Sequence, residues 1–312
     1  MIDTAMSFSS DVKTELCHVG LNRPCCAAAE VYGVLLFANS FSPQEARIIT
    51  GSGDFAQRLP RLMQRVFGFE FDSQTGGEEK GKCVFRLTDR EKLSAVFARF
   101  GADMEGHLAH HVNFALLEED CCRAAFIRGA FLAGGSITDP AKRYHLELVT
   151  DHRSVAGECF VLLREMGFTP KETTRHGHYV IYFKQSEAIE DLFTTIGAPQ
   201  AALALMSAKV EKDMRNAVNR RVNCDSANAD KIVSAAQTQL EHIRALERGA
   251  GLDALPEELR DLALLRIANP EASLTDLAAL SDPPLSKSAV NHRMRKLMSV
   301  GRGDSARQTS DL

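Results

Sequence analysis

"CCAAAEVYGVLLFANS" begins at Cys25 and "CCRAAFIRGAFLAGGS" begins at Cys121, 96 positions later. In register, seven of the sixteen residues coincide, where ordinary residue frequencies give roughly one or two. The offset persists downstream: "KCVFRL" falls over "HYVIYF", and "EKLSAVFARFGA" over "EAIEDLFTTIGA". The first two-thirds of the chain is therefore a unit of about 96 residues written twice. Two copies of that length are too few and too long for a solenoid, so the duplication predicts a pseudo-twofold pair.

Within each copy the pattern reads the same way. An apolar helix comes first (25–38, 121–133), then extended segments ("ARIITG", "YHLELVT"). A second helix ends at glycine ("RLMQRVFG", "VLLREMG"), two more strands follow, and a last helix closes the copy (90–100, 186–196). The extended segments alternate apolar and polar, as half-exposed antiparallel strands do. Each copy is thus αββαββα, an α+β unit. The opening helices carry small residues four apart: Ala29 and Gly33, then Ala125, Gly129 and Ala133. Glycine inside a helix costs about 1 kcal/mol relative to alanine. It is tolerated where two backbones approach closer than the usual ~8–10 Å. The expected partner of 127–135 is its own duplicate, 31–39.

"IRGAFLAGGSI" resembles the LAGLIDADG motif of homing endonucleases. That resemblance implies two such helices packed across a pseudo-twofold, with antiparallel sheets that saddle a DNA groove. Each motif of that family ends in an acidic metal ligand. Here the position falls on Ala38 in the first copy and Gly134 in the second. Neither offers the oxygen that would hold a hydrolytic divalent ion. Asp139, five residues on, reads as a loop residue. The expectation is no catalytic residue and no enzyme; the alternative is a metal-dependent homing-type DNA endonuclease.

The remaining third changes character. "SAKVEKDMRNAVNRRVNCDSANADK" is rich in Asn, Arg and Ala. It reads either as a solvated interdomain segment with turn-forming asparagines or as a basic strap on phosphates carrying Arg215, Arg220 and Arg221. An amphipathic helix follows, with apolar residues at 232, 236, 240, 243 and 246 and glycines at 249 and 251. "LPEELRDLALLRIANPEA", "SLTDLAAL", "SDPPLS" and "KSAVNHRMRKLMSV" then give helix, short helix, turn, helix, the layout of a helix-turn-helix. The last helix puts Ala289, Val290, Met294 and Leu297 towards a core. Candidate DNA contacts are Ser273, Thr275, Ser286, Lys287, Ser288, Asn291, His292, Arg293, Arg295 and Lys296. Between 285 and 302 there are five Lys or Arg and no acid. Lys and Arg read guanine edges, Asn reads adenine, and helix N-termini suit phosphate. In the repeat, Lys171, Arg175 and Lys184 flank a predicted hairpin. They are further candidate DNA contacts, or simply the polar residues of an exposed hairpin.

A duplicated LAGLIDADG-like domain without its acids, joined to a helix-turn-helix, resembles the WhiA family. The segments "MSFSSDVKTEL", "RGAFLAGGSITDP", "RNAVNRRVNCDSANADK" and "LSKSAVNHRMRKL" resemble it too. The resemblance implies a bacterial, sequence-specific regulator of transcription in sporulation or in cell division and chromosome segregation. It implies double-stranded DNA as partner and, in some lineages, a small iron–sulfur regulator. The expected domains are 1–24, an N-terminal helix; 25–200, the duplicated domain (copies 25–120 and 121–200); 201–229, a linker; 230–302, a helical domain with its helix-turn-helix at about 273–299; and 303–312, a disordered tail.

A net charge of -4 places any nucleic-acid role on local patches. Apolar runs such as "VYGVLLFA" fall far short of the ~20 residues of a membrane span, and the start has no signal-peptide pattern, so a cytoplasmic, nucleoid-associated protein is expected. No cofactor or metal is expected. Eight cysteines lack CxxC spacing and read as small buried hydrophobes at helix starts. His107, His110 and His111 have helix-face spacing but no accompanying HExxH glutamate.

Overall fold

The computed structural model describes residues 7–76, 81–102, 104 and 109–300. The expected tail at 303–312 lies outside them, as do His107 and Arg302. The chain divides into two compact units, Met1–Asp213 and Met214–Leu312.

In the first unit, helix α1 (Phe8–Cys17) precedes the first copy: α2 (Pro24–Leu36), β1 (Ser40–Phe41), β2 (Ala46–Thr50), α3 (Gly53–Phe67), β3 (Ser73–Thr75), β4 (Cys83–Leu87) and α4 (Arg90–Phe100). The second copy repeats the order: α5 (Asp120–Gly134), β5 (Gly135–Ile137), β6 (Leu146–Thr150), α6 (Arg153–Glu165), β7 (Lys171–Arg175), β8 (His178–Phe183) and α7 (Ser186–Ile196). Each copy is αββαββα, and each sheet is antiparallel in the same strand order, β1-β2-β4-β3 and β5-β6-β8-β7. Strict alternation buries Ala46, Ile48 and Thr50 in β2 and Leu146, Leu148 and Thr150 in β6. The other face of each sheet is left free of that core.

The two opening helices pack on each other at backbone contact. A Cβ on Gly33 would stand 2.1 Å from the Phe126 carbonyl oxygen, and one on Gly129 would stand 2.0 Å from that of Glu30. These two contacts are duplicates of each other, 96 residues apart, so the pseudo-twofold runs between α2 and α5. Beside the contact, Glu30 is fully buried and holds two arginines. Arg58 donates from Nε to Oε1 (2.6 Å) and from Nη2 to Oε2 (2.9 Å), and Arg128 donates from Nε to Oε2 (2.9 Å). Arg58 also donates to the Cys17 and Val19 carbonyls, and Arg128 to that of Ile196. One carboxylate thus ties α2, α3, α5 and the end of α7 together.

Helix α8 runs unbroken from Pro199 to Arg248. The segment 201–229, expected as a linker and read as a solvated stretch with turn-forming asparagines, is thus helical, and the helix expected to start near 230 starts at Pro199. Proline suits a first helical turn, and no glycine or further proline interrupts the span. The asparagines that suggested turns lie among Ala, Arg, Lys and Glu, which favour helix. The first backbone amides are capped from a distance: Glu15 of α1 accepts from Gln200 N (2.7 Å) and Ala201 N (2.8 Å). The helix stops where expected, before Gly249 and Gly251.

The second unit adds α9 (Glu257–Ala268), α10 (Leu274–Leu280) and α11 (Lys287–Ser299). They share a core with α8 built from Ile243, Leu259, Leu262, Leu277, Val290, Met294 and Leu297.

Candidate nucleic-acid interface

Helices α9, α10 and α11 form a three-helix unit whose last two members are joined by a proline-containing turn. Ser273 and Asp276 make the capping box anticipated for α10: Asp276 N donates to Ser273 Oγ (3.2 Å) and Ser273 N donates to Asp276 Oδ2 (2.9 Å). Hydrogen bonds to its carboxylate from the Ser273 side chain and the Ser273 backbone amide hold Asp276 below the usual carboxylate range. Leu285 N donates to the Ala278 carbonyl (2.9 Å), closing the turn. Ser286 Oγ then accepts from Ala289 N (3.2 Å) and starts α11. Arg266 is buried and donates to the Asn269 and Ala272 carbonyls, fixing the α9–α10 connection. His242 of α8 bonds the Leu297 carbonyl (3.2 Å).

These contacts set the rotation of α11. With Val290, Met294 and Leu297 buried, the opposite face carries Ser288, His292, Arg295 and Ser299 at helical spacing, with Lys296 beside them, all exposed. Lys287 is exposed on the first turn, and Asn291 is half-buried on one flank. Arg293 lies on the other flank, turned to Glu258 of α9 (Nη2 to Oε2, 3.4 Å) and away from that face. The Ser273 oxygen is committed to its cap, while Thr275 is exposed on α10. So Lys287, Arg295 and Lys296 share one acid-free exposed helix with Ser288 and His292, and Arg293 does not join them.

The repeat contributes differently. On β7, Lys171 and Arg175 are exposed, but Arg175 Nη2 reaches Glu147 (3.0 and 3.1 Å) and its charge is balanced there. Lys184 lies over the Tyr182 ring (5.1 Å). Arg215, Arg220 and Arg221 are exposed on α8. Sequence reading missed a stronger pair. Arg47 of β2 and Arg86 of β4 are directly opposed on the free face of the first sheet. Like charges opposed across strands are destabilising without a partner anion. Among the described residues, Arg86 has only Glu45 at 3.7 Å, and Arg47 Nε is buried with no hydrogen-bond partner. The second sheet puts Glu147 opposite Tyr182 at the corresponding place. The alternation signal locates Arg47 and Arg86 on the outward face, but their opposition depends on register.

Of the two positions at which the resemblance implies an acid, Gly134 is closed by geometry. A Cβ on Gly134 would lie 2.4 Å from the Val149 carbonyl oxygen and 3.2 Å from the Phe37 ring, so no side chain fits there without a backbone shift. Ala38 is buried. Near the C-terminal ends of the paired helices, Thr150 Oγ1 donates to the Leu36 carbonyl (2.9 Å) and Lys13 Nζ donates to that of Leu132 (3.1 Å). An ammonium is a poor neighbour for a divalent cation. Of the two described histidines of the 107–111 run, His110 bonds the Phe41 carbonyl (2.6 Å) and His111 bonds Glu158 (2.7 Å).

Comparison with known proteins agrees with both halves. The model described as the WhiA LAGLIDADG-like domain matches residues 123–215, and that of the WhiA C-terminal HTH domain matches residues 218–300. The "Probable cell division protein WhiA" of Ruminiclostridium cellulolyticum is 38% identical over 300 residues, covering 94% of this chain and 96% of the relative. The chain belongs to the WhiA family. The relative of the same name from Heliobacterium modesticaldum is 36% identical, with 95% and 96% covered. The crystal structure of full-length DUF199/WhiA from Thermatoga maritima superposes with a TM-score of 0.58 at 21% identity, covering 95% of this chain and 98% of that one. The WhiA fold, a LAGLIDADG-like domain with a C-terminal helix-turn-helix, is therefore the fold of this chain.

Proposed function

We propose that this chain is a sequence-specific transcription regulator that binds double-stranded DNA through α11 and does not cut it. The observation that carries the reading is the exposed, acid-free face of α11. A helix held by a three-helix core with Ser288, His292 and Arg295 outward and Asn291 on the flank is suited to a major groove, where Arg pairs with guanine and Asn with adenine. Lys287, Lys296, Ser286 and Thr275 act on flanking phosphates, which fix register without reading sequence, while Ser273 acts by capping α10. Arg293 acts mainly through Glu258. Lys171, Lys184, Arg175, Arg215, Arg220 and Arg221 are secondary contacts, to which we add Arg47 and Arg86. The relatives' name supports a role in cell division, with chromosome segregation or sporulation as the corresponding programme, and so a place at the nucleoid in the cytoplasm. A small iron–sulfur regulator is a further partner implied by the family resemblance.

Absence of cleavage follows from Ala38, from the space closed around Gly134 and from the lysine near the end of α5. The test is selection of bound DNA from a random pool with the full chain, followed by incubation of the selected site in supercoiled DNA with Mg²⁺ or Mn²⁺. Enrichment of one motif and intact supercoils are expected. An unenriched pool refutes the sequence-specific reading, and metal-dependent nicking by the pure protein refutes the non-nuclease one.

A further inference from the structure

The duplication places two cysteine pairs at the same point of two packed helices. Cys25 and Cys26 are the second and third residues of α2, and Cys121 and Cys122 are the second and third of α5. All four Sγ atoms lie within 4.8 Å of one another. Among the described residues, no other group of three or more His, Cys, Asp or Glu side chains converges in this way. The reading of these cysteines as buried hydrophobes fails at Cys25, which is exposed, and at Cys26 and Cys121, which are half-buried.

We propose that Cys25, Cys26, Cys121 and Cys122 bind one tetrahedral thiophilic metal ion, zinc by its chemistry, which clamps the first turns of the two duplicated helices together. Symmetry supplies the geometry. A tetrahedron has a twofold axis through the midpoints of opposite edges. The Cys25–Cys26 edge and the Cys121–Cys122 edge are related by the same pseudo-twofold that exchanges Gly33 and Gly129. Size supplies the nuclearity. Zinc–sulfur bonds of about 2.3 Å give ligand separations of about 3.8 Å in a tetrahedron. The observed ceiling of 4.8 Å is reached from there by small side-chain rotations. An iron–sulfur cluster puts several irons and sulfides between its thiolates and spreads them wider. Four sulfur ligands with tetrahedral access are the donor set that selects zinc over magnesium or calcium.

Electrostatics agree. Four thiols give up their protons to solvent when the divalent ion binds, leaving a site of net charge about −2. Neither helix has a side-chain N-cap, and the four cysteines sit in the first turns, at the positive ends of both helix dipoles. Arg23 Nη1 stands 3.5 Å from Cys121 Sγ. The usual CxxC spacing is absent because each helix supplies adjacent ligands and the repeat supplies the second pair.

The test uses the full chain, purified under reductant without chelator. Metal analysis is expected to find about one zinc per chain. Co²⁺ added to the metal-free protein is expected to give the red-region bands and thiolate charge-transfer absorption of a tetrahedral tetrathiolate, saturating at one equivalent and displaced by Zn²⁺. Cys25→Ser should weaken Co²⁺ binding at least tenfold, while Cys224→Ser, at an exposed cysteine outside the cluster, should leave it unchanged. X-ray absorption of the zinc-loaded parent, independent of any variant's folding, should show four sulfur neighbours. The proposal is overturned by fully reduced protein that gives no tetrathiolate spectrum, by a spectrum indifferent to Cys25→Ser, by iron with acid-labile sulfide in place of zinc, or by peptide mapping that finds these cysteines disulfide-linked in the reduced preparation.

Discussion

Glu30 is a residue on which three helices converge, and among the described residues its carboxylate is the only one paired with the buried guanidinium groups of Arg58 and Arg128. Removing one partner of a buried ion pair leaves a charge uncompensated and costs about 3–5 kcal/mol. Glu30→Gln should therefore destabilise the first unit by an amount of that order, read from urea unfolding of the full chain. A loss under 1 kcal/mol would show that water reaches the pair. Gly129→Ala tests the neighbouring contact. Its methyl would meet the Glu30 carbonyl oxygen at 2.0 Å, and overpacking of this kind costs about 1–3 kcal/mol or more. Lys13 gives a pH-dependent prediction. Burial pushes its ammonium down from 10.5 to about 8, with Cys17 opposing. Between those values the unfolded chain holds a proton that the folded chain has released, so stability gained from this group rises with pH through that window. Below about pH 8 both states are protonated and the burial cost is fully present. Lys13→Met should thus be most stabilising, relative to the parent, at pH 7 and lose that advantage by pH 10.5, which paired thermal melts would show.

At the scale of elements, α11 owes its orientation to three buried residues and to the Ser286 cap, so its base preference should change without its fold changing. Arg295→Ala or Asn291→Ala should relax preference at one base position by about 1–3 kcal/mol, with an unaltered melting temperature. If both variants select the parent's motif at parental affinity, α11 is not the reading helix. The αββαββα order was legible from sequence because both copies bury one face of each element, which writes a period of 2 or 3.6 into the apolar residues. The glycine-notched pairing was legible for the same reason. Helix α8 was not, because residues Val210, Met214, Val218 and Val222 are exposed and face no core. Those four recur every four residues, a helical stripe, but with no core to cover it the stripe stands beside asparagines that also read as turns. The Glu15 cap on α8, the opposition of Arg47 and Arg86, and the four-cysteine cluster each join segments far apart in sequence. Only the fold states those distances, although the repeat already aligned the two cysteine pairs.

For the whole molecule, a net charge of -4 means that DNA cannot be held by bulk attraction. On the proposed reading, DNA binding rests on a few local cations, and the salt dependence counts them. Each phosphate neutralised contributes about −0.9 to the slope of log affinity against log salt on duplex DNA. Arg295 and Lys296 lie on the acid-free helix. Arg47 and Arg86 lie on the free face of the first sheet, where two cations oppose each other and gain from an anion between them. If the LAGLIDADG-like domain still touches DNA, the double variant Arg47→Gln/Arg86→Gln should lower affinity for every sequence alike and reduce the slope by roughly 1–2. The selected motif should stay the same. Lys296→Ala should reduce the slope by about 1, again without altering the motif. Filter binding or fluorescence anisotropy of the full chain across a salt series measures both. A slope untouched by the sheet variant, beside one reduced by Lys296→Ala, would confine DNA contact to the helical unit. The scaffold would then have lost its nucleic acid along with its acids, and the cations on its sheet would be free for a different anionic partner.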